Sequence, residues 1–260
     1  MKVVIFAGGK GTRILEESTV RPKPMVEIGG RPILWHILKL YAAQGFNEFV
    51  ICLGYKGYLI KEYFINYFYH RSDITVDLGT NHVQVHASDT DNFKVTLVDT
   101  GLETQTAGRL LRVKQYLGEA DFMLTYGDGL ADIDLRKLLA YHQGHRKLVT
   151  MTAIQPGSRF GVLALDAQNN IRRFNEKPVD DGNWVNGGFF VVNQQALNYI
   201  PIQPAADDMP WERQPLEKLA ADGQLVAYKH TGFWKCMDTL RDAVELNELW
   251  AKNPQWKVWP

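Results

Sequence analysis

The sequence predicts an α/β fold built on a mostly parallel, mixed sheet with helices on its faces. Three observations carry this. Val3-Val4-Ile5-Phe6-Ala7 is an unbroken apolar run rich in β-branched residues, the pattern of a strand buried on both faces. From Ile33 to Tyr41 apolar residues recur at helical spacing, and a second buried run, 49–54, follows directly. Strand, helix and strand in that order require a right-handed crossover, which sets the two strands parallel.

The remaining elements follow in order. Pro32 suits the first turn of the first helix and Gly45 supplies its stop. A helix is predicted over about 58–69, and short alternating runs at 82–86 and 94–98 predict added hairpin strands. A helix near 109–116 leads to the apolar strand 122–126, which ends on Gly127-Asp128-Gly129. A helix over 135–145, strands over 149–154, 162–165, 171–174 and 189–192, and a last helix over 240–250 complete the chain. Residues 201–215 carry four prolines and are expected as a surface excursion. With no internal repeat and no linker, residues 1–260 are expected to form a single domain with β insertions.

Composition bounds the function. The 260 residues carry 29 Lys plus Arg against 29 Asp plus Glu, and 45% are hydrophobic. A net charge of zero removes the electrostatic support for binding extended polyanions, so neither nucleic acid nor an anionic membrane surface is expected as a partner. A small anionic ligand stays open. Val3 to Ala7 is too short for the core of a secretion signal, and no run approaches the ~18 apolar residues of a membrane span. Cys52 and Cys236 have neither metal-ligand nor disulfide spacing, and two isolated thiols fit a reducing cytoplasm.

In an open sheet of this kind ligands bind where loops leave the carboxyl ends of strands, which points to residues 8–13 and 127–129. Gly8-Gly9-Lys10-Gly11-Thr12-Arg13 follows the first strand, and its glycines let backbone N–H groups turn inward around an anion. The segment is neither a G-x-G-x-x-G, which needs Gly where Ile14 stands, nor a P-loop, which needs Gly-Lys-Ser/Thr where Gly11-Thr12-Arg13 stands. Arg21-Pro22-Lys23-Pro24-Met25 sets a lysine between two prolines, whose stiff backbone aims its ammonium at a fixed point. Arg13 and Lys23 are thus candidates for a phosphate clamp. Asp128, at a strand end between two glycines, is placed to reach a metal ion.

Together these motifs resemble the sugar-1-phosphate nucleotidyltransferases, which open with a strand, Gly-Gly-x-Gly-Thr-Arg and then Pro-Lys-Pro. Tyr126-Gly127-Asp128-Gly129, Glu176-Lys177-Pro178 and Asn186-Gly187-Gly188 are the downstream matches, and the resemblance spans essentially the whole chain. It implies a Rossmann-like nucleotide-diphospho-sugar transferase fold and transfer of a nucleotidyl group to a sugar 1-phosphate with release of pyrophosphate. It also implies Mg²⁺ as cofactor, held by Asp128 and Asp238, although Asp238 before Thr239 and a helix reads equally well as a helix cap.

By that resemblance the nucleotide would lie against Phe6, Ala7, Gly8, Gly9, Lys10, Gly11, Thr12, Arg13, Lys23, Thr106, Gly108, Arg109 and Asp128, with Arg13, Lys23 and Asp128 catalytic. The sugar phosphate would lie against Tyr126, Glu176, Lys177, Asn186, Gly187 and Gly188. Because both reactants are anions and the nucleophile is already ionised, neutralisation and orientation are nearly all that the protein must supply.

Thr104-Gln105-Thr106-Ala107-Gly108-Arg109-Leu110 resembles the loop of the cytidylyl branch, with Ala107 where Gly is usual, and not the Gln-Pro-x-Gly-Leu-Ala type of uridylyl and thymidylyl members. A physical argument points the same way. Arginine only donates hydrogen bonds; cytosine offers adjacent acceptors at O2 and N3, whereas uracil and thymine carry a hydrogen on N3. Arg109 is therefore expected to select CTP. Glucose 1-phosphate as acceptor, a CDP-sugar feeding dideoxysugars of bacterial surface polysaccharide, a homo-oligomer of hexameric type, and the lack of a C-terminal β-helix extension are further implications of the resemblance. The aromatic cluster Tyr55, Tyr58, Tyr63, Phe64, Tyr67, Phe68 and Tyr69 is expected to be mostly core by helical spacing, and its excess over one helix face, together with Trp250, Trp256 and Trp259, adds reason to expect subunit contact.

Two rival classes are weighed against this. Asp132-Ile133-Asp134 is the D-x-D of many glycosyltransferases, but its place just before a helix favours capping. A non-catalytic nucleotide-sugar sensor could dispense with the metal carboxylate and phosphate lysines, which are present here. The pairs His82/His86 and His142/His145 lack a third ligand and are read as structural.

Overall fold

The computed structural model describes residues 1–11, 21–156 and 184–260, together with the backbone strands Val162–Leu165 and Ile171–Asn175. Seven strands form the central sheet: β1 Lys2–Ala7, β2 Glu48–Leu53, β3 Lys94–Asp99, β4 Phe122–Tyr126, β5 Val149–Ile154, β6 Val185–Val192 and β7 Leu225–Lys229. Their spatial order is β7-β5-β6-β4-β1-β2-β3. Every neighbouring pair is parallel except those of β6, which runs antiparallel to both β4 and β5.

The helices are α1 Ile33–Ala42, α2 Gly57–His70, α3 Thr106–Val113, α4 Leu135–His145, α5 Gln214–Ala221 and α6 Leu240–Lys252. The strand period of two divides β1 between two cores. Val3, Ile5 and Ala7 pack with α1, α4 and α6 on one face, while Val4 and Phe6 pack with α3 and α5 on the other. Burial on both faces is why this strand reads as an unbroken apolar run.

The chain runs from β1 outward through β2 to β3, then returns to place β4 on the opposite side of β1. The sheet therefore has its topological switch point between β1 and β4, where loops leaving the carboxyl ends diverge and open a crevice. Reversed β6 brings its amino-terminal end, Asn186 to Gly188, to that same edge beside Tyr126 at the end of β4.

Three expectations are corrected. The strand at Lys94–Asp99 is a parallel edge strand of the central sheet, paired with β2, and not part of a hairpin. The hairpin is made by Ser72–Asp77 and His82–Ser88. The proline-rich stretch is not a bare surface excursion: Ala206 and Trp211 are fully buried, and its carbonyls at Asp207 and Met209 accept from Gln105 N (2.7 Å) and Ala107 N (3.1 Å) at the start of α3. Trp256 and Trp259, expected near a subunit contact, are buried within the chain around His36. Asp134 caps α4, its carboxylate accepting from Lys137 N at 2.9 Å, which accounts for half of the D-x-D motif.

Candidate active site

Loops leaving β1, β3 and β4 enclose a cleft of about 520 Å³. Phe6, Ala7, Gly8, Gly9, Lys10, Gly11, Lys23, Thr106, Arg109, Tyr126, Asp128 and Asp238 all line it, drawing together segments as far apart in sequence as Phe6 and Asp238. Thr12, Arg13, Glu176 and Lys177 lie outside the described residues.

At one end stands a charge cluster. Lys23 opens a single 3-10 turn, Lys23–Met25, with Pro22 before it and Pro24 within it. Its ammonium donates to Asp128 Oδ2 at 2.5 Å and Asp238 Oδ1 at 2.7 Å. Burial, the largest influence, favours the neutral amine, but the Asp128 charge and the two carboxylate bonds outweigh it and hold the lysine's pKa above its ordinary value. Asp128 follows β4 through Gly127, whose N–H donates to Phe6 O at 2.9 Å. The two-stranded pairing of Trp234–Cys236 with Gly129–Ala131 then carries Asp238 back beside Asp128. Thr239 performs the capping of α6, in a reciprocal box with Asp242, so the side chain of Asp238 is directed to the cluster instead.

Ligand atoms of Asp128, Cys236 and Asp238 lie within 4.8 Å of one another. The donor set fits a hard divalent cation: two carboxylates converge, and the cation they already share is an ammonium. Burial first, and the Asp128 charge next, push the Cys236 thiol well above its usual range.

Arg109 stands on α3 above the opposite wall and is only 4% exposed. Its Nη1 donates to Leu53 O (2.9 Å) and Thr100 Oγ1 (2.6 Å), and its Nη2 to Gly8 O (3.2 Å). A Cβ at position 8 would sit 2.1 Å from Arg109 Nη1, so any larger residue there would displace the guanidinium from the groups that hold it. The first glycine of the loop thus makes room for the guanidinium as well as for a ligand. Gly108 does not line the cleft; a Cβ on it would come within 2.6 Å of Asp207 Oδ1 and 2.9 Å of Ala206 O, so its smallness seats the proline-rich segment on α3. Ala107 is fully buried, and its methyl packs in the core behind that helix.

Several residues at the site are not evident from sequence motifs. Thr100 buttresses Arg109. Trp234 donates its indole N–H to Gly187 O at 2.7 Å, fixing the first residues of β6. Glu212 accepts from Thr106 Oγ1 at 2.8 Å and from Tyr126 OH at 2.5 Å. Burial chiefly, and then the charge of Glu212, raise the Tyr126 phenol so that it stays protonated. Asn186 Nδ2 donates to the same phenol oxygen at 3.3 Å.

Chemically, the arrangement offers an anion-accepting glycine loop, a paired carboxylate centre for a divalent cation with an ammonium in contact, and a buried guanidinium. The sequence matches the nucleotidyl transferase family over residues 2–253. It is 51% identical over 261 residues to the glucose-1-phosphate cytidylyltransferases of Salmonella typhi and of Salmonella typhimurium, covering 100% of each chain in both cases. The fold is that of a UDP-glucose pyrophosphorylase solved with UDP-glucose, with a TM-score of 0.68 at 16% identity over 96% of this chain and 98% of that one. On this match, and on 51% identity over the full length of two curated relatives, the chain belongs to the nucleotidyl transferase family.

Proposed function

We propose that this enzyme transfers the cytidylyl group of CTP to glucose 1-phosphate, giving CDP-glucose and pyrophosphate. The observation that carries the reading is the cleft's polarity: Lys23 with Asp128 and Asp238 at one end, and a buried Arg109 at the other. Full-length identity of 51% to two relatives bearing that activity supports the same substrates.

The sugar phosphate oxygen forms a bond to the α-phosphorus while the bond from that phosphorus to the pyrophosphate oxygen breaks; no proton need move, because the attacking phosphate is ionised. The backbone of Gly8 to Gly11 receives the triphosphate, and Lys23, held protonated, supplies fixed positive charge beside it. Asp128 and Asp238 would hold Mg²⁺, an oxygen-seeking ion that would supply positive charge against the phosphates. Arg13 is assigned to the leaving pyrophosphate and Lys177, with Glu176, to the incoming sugar phosphate. Tyr126 lines the cleft and is assigned to the sugar, with Asn186, Gly187 and Gly188 behind it supporting that end.

Base choice falls to Arg109. Of its five N–H donors, three are committed to Gly8 O, Leu53 O and Thr100 Oγ1, which fixes the plane of the fork and leaves donors for the adjacent acceptors of cytosine. The N3–H of uracil or thymine would face a donor that cannot turn away, a mismatch of the kind that discriminates strongly.

We also assign the chain to the cytoplasm as one catalytic domain that works as a homo-oligomer. Among the described residues no helix is long and apolar enough to cross a membrane. One sheet takes strands from residue 2 to residue 229, which supports a single unit. For self-association, the support is the hairpin Ser72–Asp77/His82–Ser88: its register pairs Ile74 with Val85 and Val76 with Val83 on one exposed face. A two-stranded ribbon with an apolar face open to water is marginal, and a second copy of the chain would cover that face.

The test is pyrophosphate release from glucose 1-phosphate with Mg²⁺ and each of ATP, GTP, CTP, UTP and dTTP. CTP is expected to be preferred by about 100-fold or more. Preference for UTP or dTTP would overturn the base assignment and keep the family chemistry.

A further inference from the structure

We propose that Glu212 is a positioning residue that ties the two ends of the cleft together, one carboxylate oxygen fixing Thr106 at the nucleobase end and the other fixing Tyr126 at the sugar end. The naming of those ends rests on the reading above. Thr106 opens α3, Tyr126 closes β4, and Glu212 comes from the proline-rich segment laid across them.

Each hydroxyl is held from two sides. Thr106 Oγ1 donates to Glu212 Oε2 at 2.8 Å and accepts from Trp211 N at 2.7 Å. Tyr126 OH donates to Glu212 Oε1 at 2.5 Å and accepts from Asn186 Nδ2 at 3.3 Å, while Asn186 Oδ1 accepts from Gly188 N at 2.8 Å. A carboxylate only accepts, so both hydroxyl protons must point at it and both rotors are set before any ligand arrives. Fixing them in advance reduces the ordering that binding would otherwise require.

The geometry also explains an apparent conflict, an acidic side chain at a site for two anions. Thr106 and Tyr126 line the cleft and Glu212 does not, so its charge sits behind two hydroxyls. Because the carboxylate is planar and rigid, a tilt that improves one bond moves the other. Seating of the base against Thr106 is therefore felt at Tyr126 and Asn186, and the two substrates bind as a coupled pair.

Steady-state kinetics of T106V, Y126F and their combination, each with Glu212 and with E212Q, test this. Glutamine offers one acceptor and one donor, so one of the two hydroxyls must turn its proton away. E212Q is expected to raise KM for CTP and for glucose 1-phosphate together, by roughly 3–10-fold, with kcat falling less. With Glu212 present, the effects of T106V and Y126F on kcat/KM should be non-additive by about threefold or more; with E212Q they should multiply independently. A purely structural glutamate would lower thermal stability without that change in coupling. A rise in only one KM, or independent effects with Glu212 in place, would overturn the proposal. Should E212Q fold poorly, the Thr106/Tyr126 cycle in the native background decides alone. The unmodified chain is run alongside. If it releases no pyrophosphate with CTP, the cytidylyl reading fails and the cycle is read on whichever triphosphate is accepted; if it does, independent effects sink the Glu212 assignment alone.

Discussion

Arg109 is held by the carbonyls of Gly8 and Leu53 and the hydroxyl of Thr100, an arrangement that only a planar fork can satisfy at once. A lysine there presents one point charge and cannot reproduce the planar fork that meets Gly8 O, Leu53 O and Thr100 Oγ1 together. Arg109→Lys is expected to lower kcat/KM for CTP by about 100-fold while barely changing the poor use of UTP, so that the preference collapses. Rates with both triphosphates check this, and a preserved ratio would remove Arg109 from base selection. Much at this scale was legible because it is contiguous: a glycine loop, a lysine between prolines and an aspartate between glycines each declare a constraint within a few residues. Glu212, Thr100 and Trp234 declare nothing locally. Glu212 meets Thr106 only because the chain returns 106 positions later, and a glutamate among prolines has the composition of a solvated loop.

At the scale of elements, the buried strands and most helices were legible from periodicity, since each has one environment along its whole length. The edge strand at Lys94–Asp99 was harder: its half-exposed alternation is the same whether its neighbour is a hairpin partner or the parallel β2, and pairing is not a local property. The proline-rich stretch misleads for a related reason. Its backbone polar groups look unsatisfied in sequence but are met by the start of α3. The hairpin at Ser72–Asp77 and His82–Ser88 makes the opposite point, because among the described residues its apolar face is left exposed; Leu78 at its tip is 89% exposed. Placing glutamates at Val76 and Val85 puts like charges on that face, and the assembly should fall to monomer mass by light scattering at micromolar concentration. A native chain that is already monomeric, or a variant of unchanged mass, would dismiss this face as the interface.

The whole molecule is closed by its last residues. Trp250 ends near His36 of α1, and Trp256 and Trp259 return to the same ring together with Trp35. His36 donates through Nε2 to Ile28 O at 2.8 Å, and its Nδ1 accepts from Trp256 Nε1 at 3.3 Å, so the imidazole is the neutral Nε2–H tautomer. A proton on Nδ1 would face the indole N–H. Burial, opposed by the Ile28 bond and aided by Arg31, takes the His36 pKa down to about 4. The folded value therefore lies below the unfolded one, and between about pH 6.5 and pH 4 the unfolded chain binds a proton that the folded chain refuses. Stability is full above that window and falls as pH drops through it, by about 2 kcal/mol between roughly pH 7.5 and pH 5 from this residue alone. His142 and His145, also depressed chiefly by burial, add slope of the same sign. His36→Gln keeps a donor for Ile28 O and has no titration, so it should lower stability near pH 7 yet flatten its decline toward pH 5. Urea midpoints at the two pH values measure this. A variant whose midpoint falls as steeply as the native chain's would show that the tryptophan ring around His36 does not govern the acid limit of the fold.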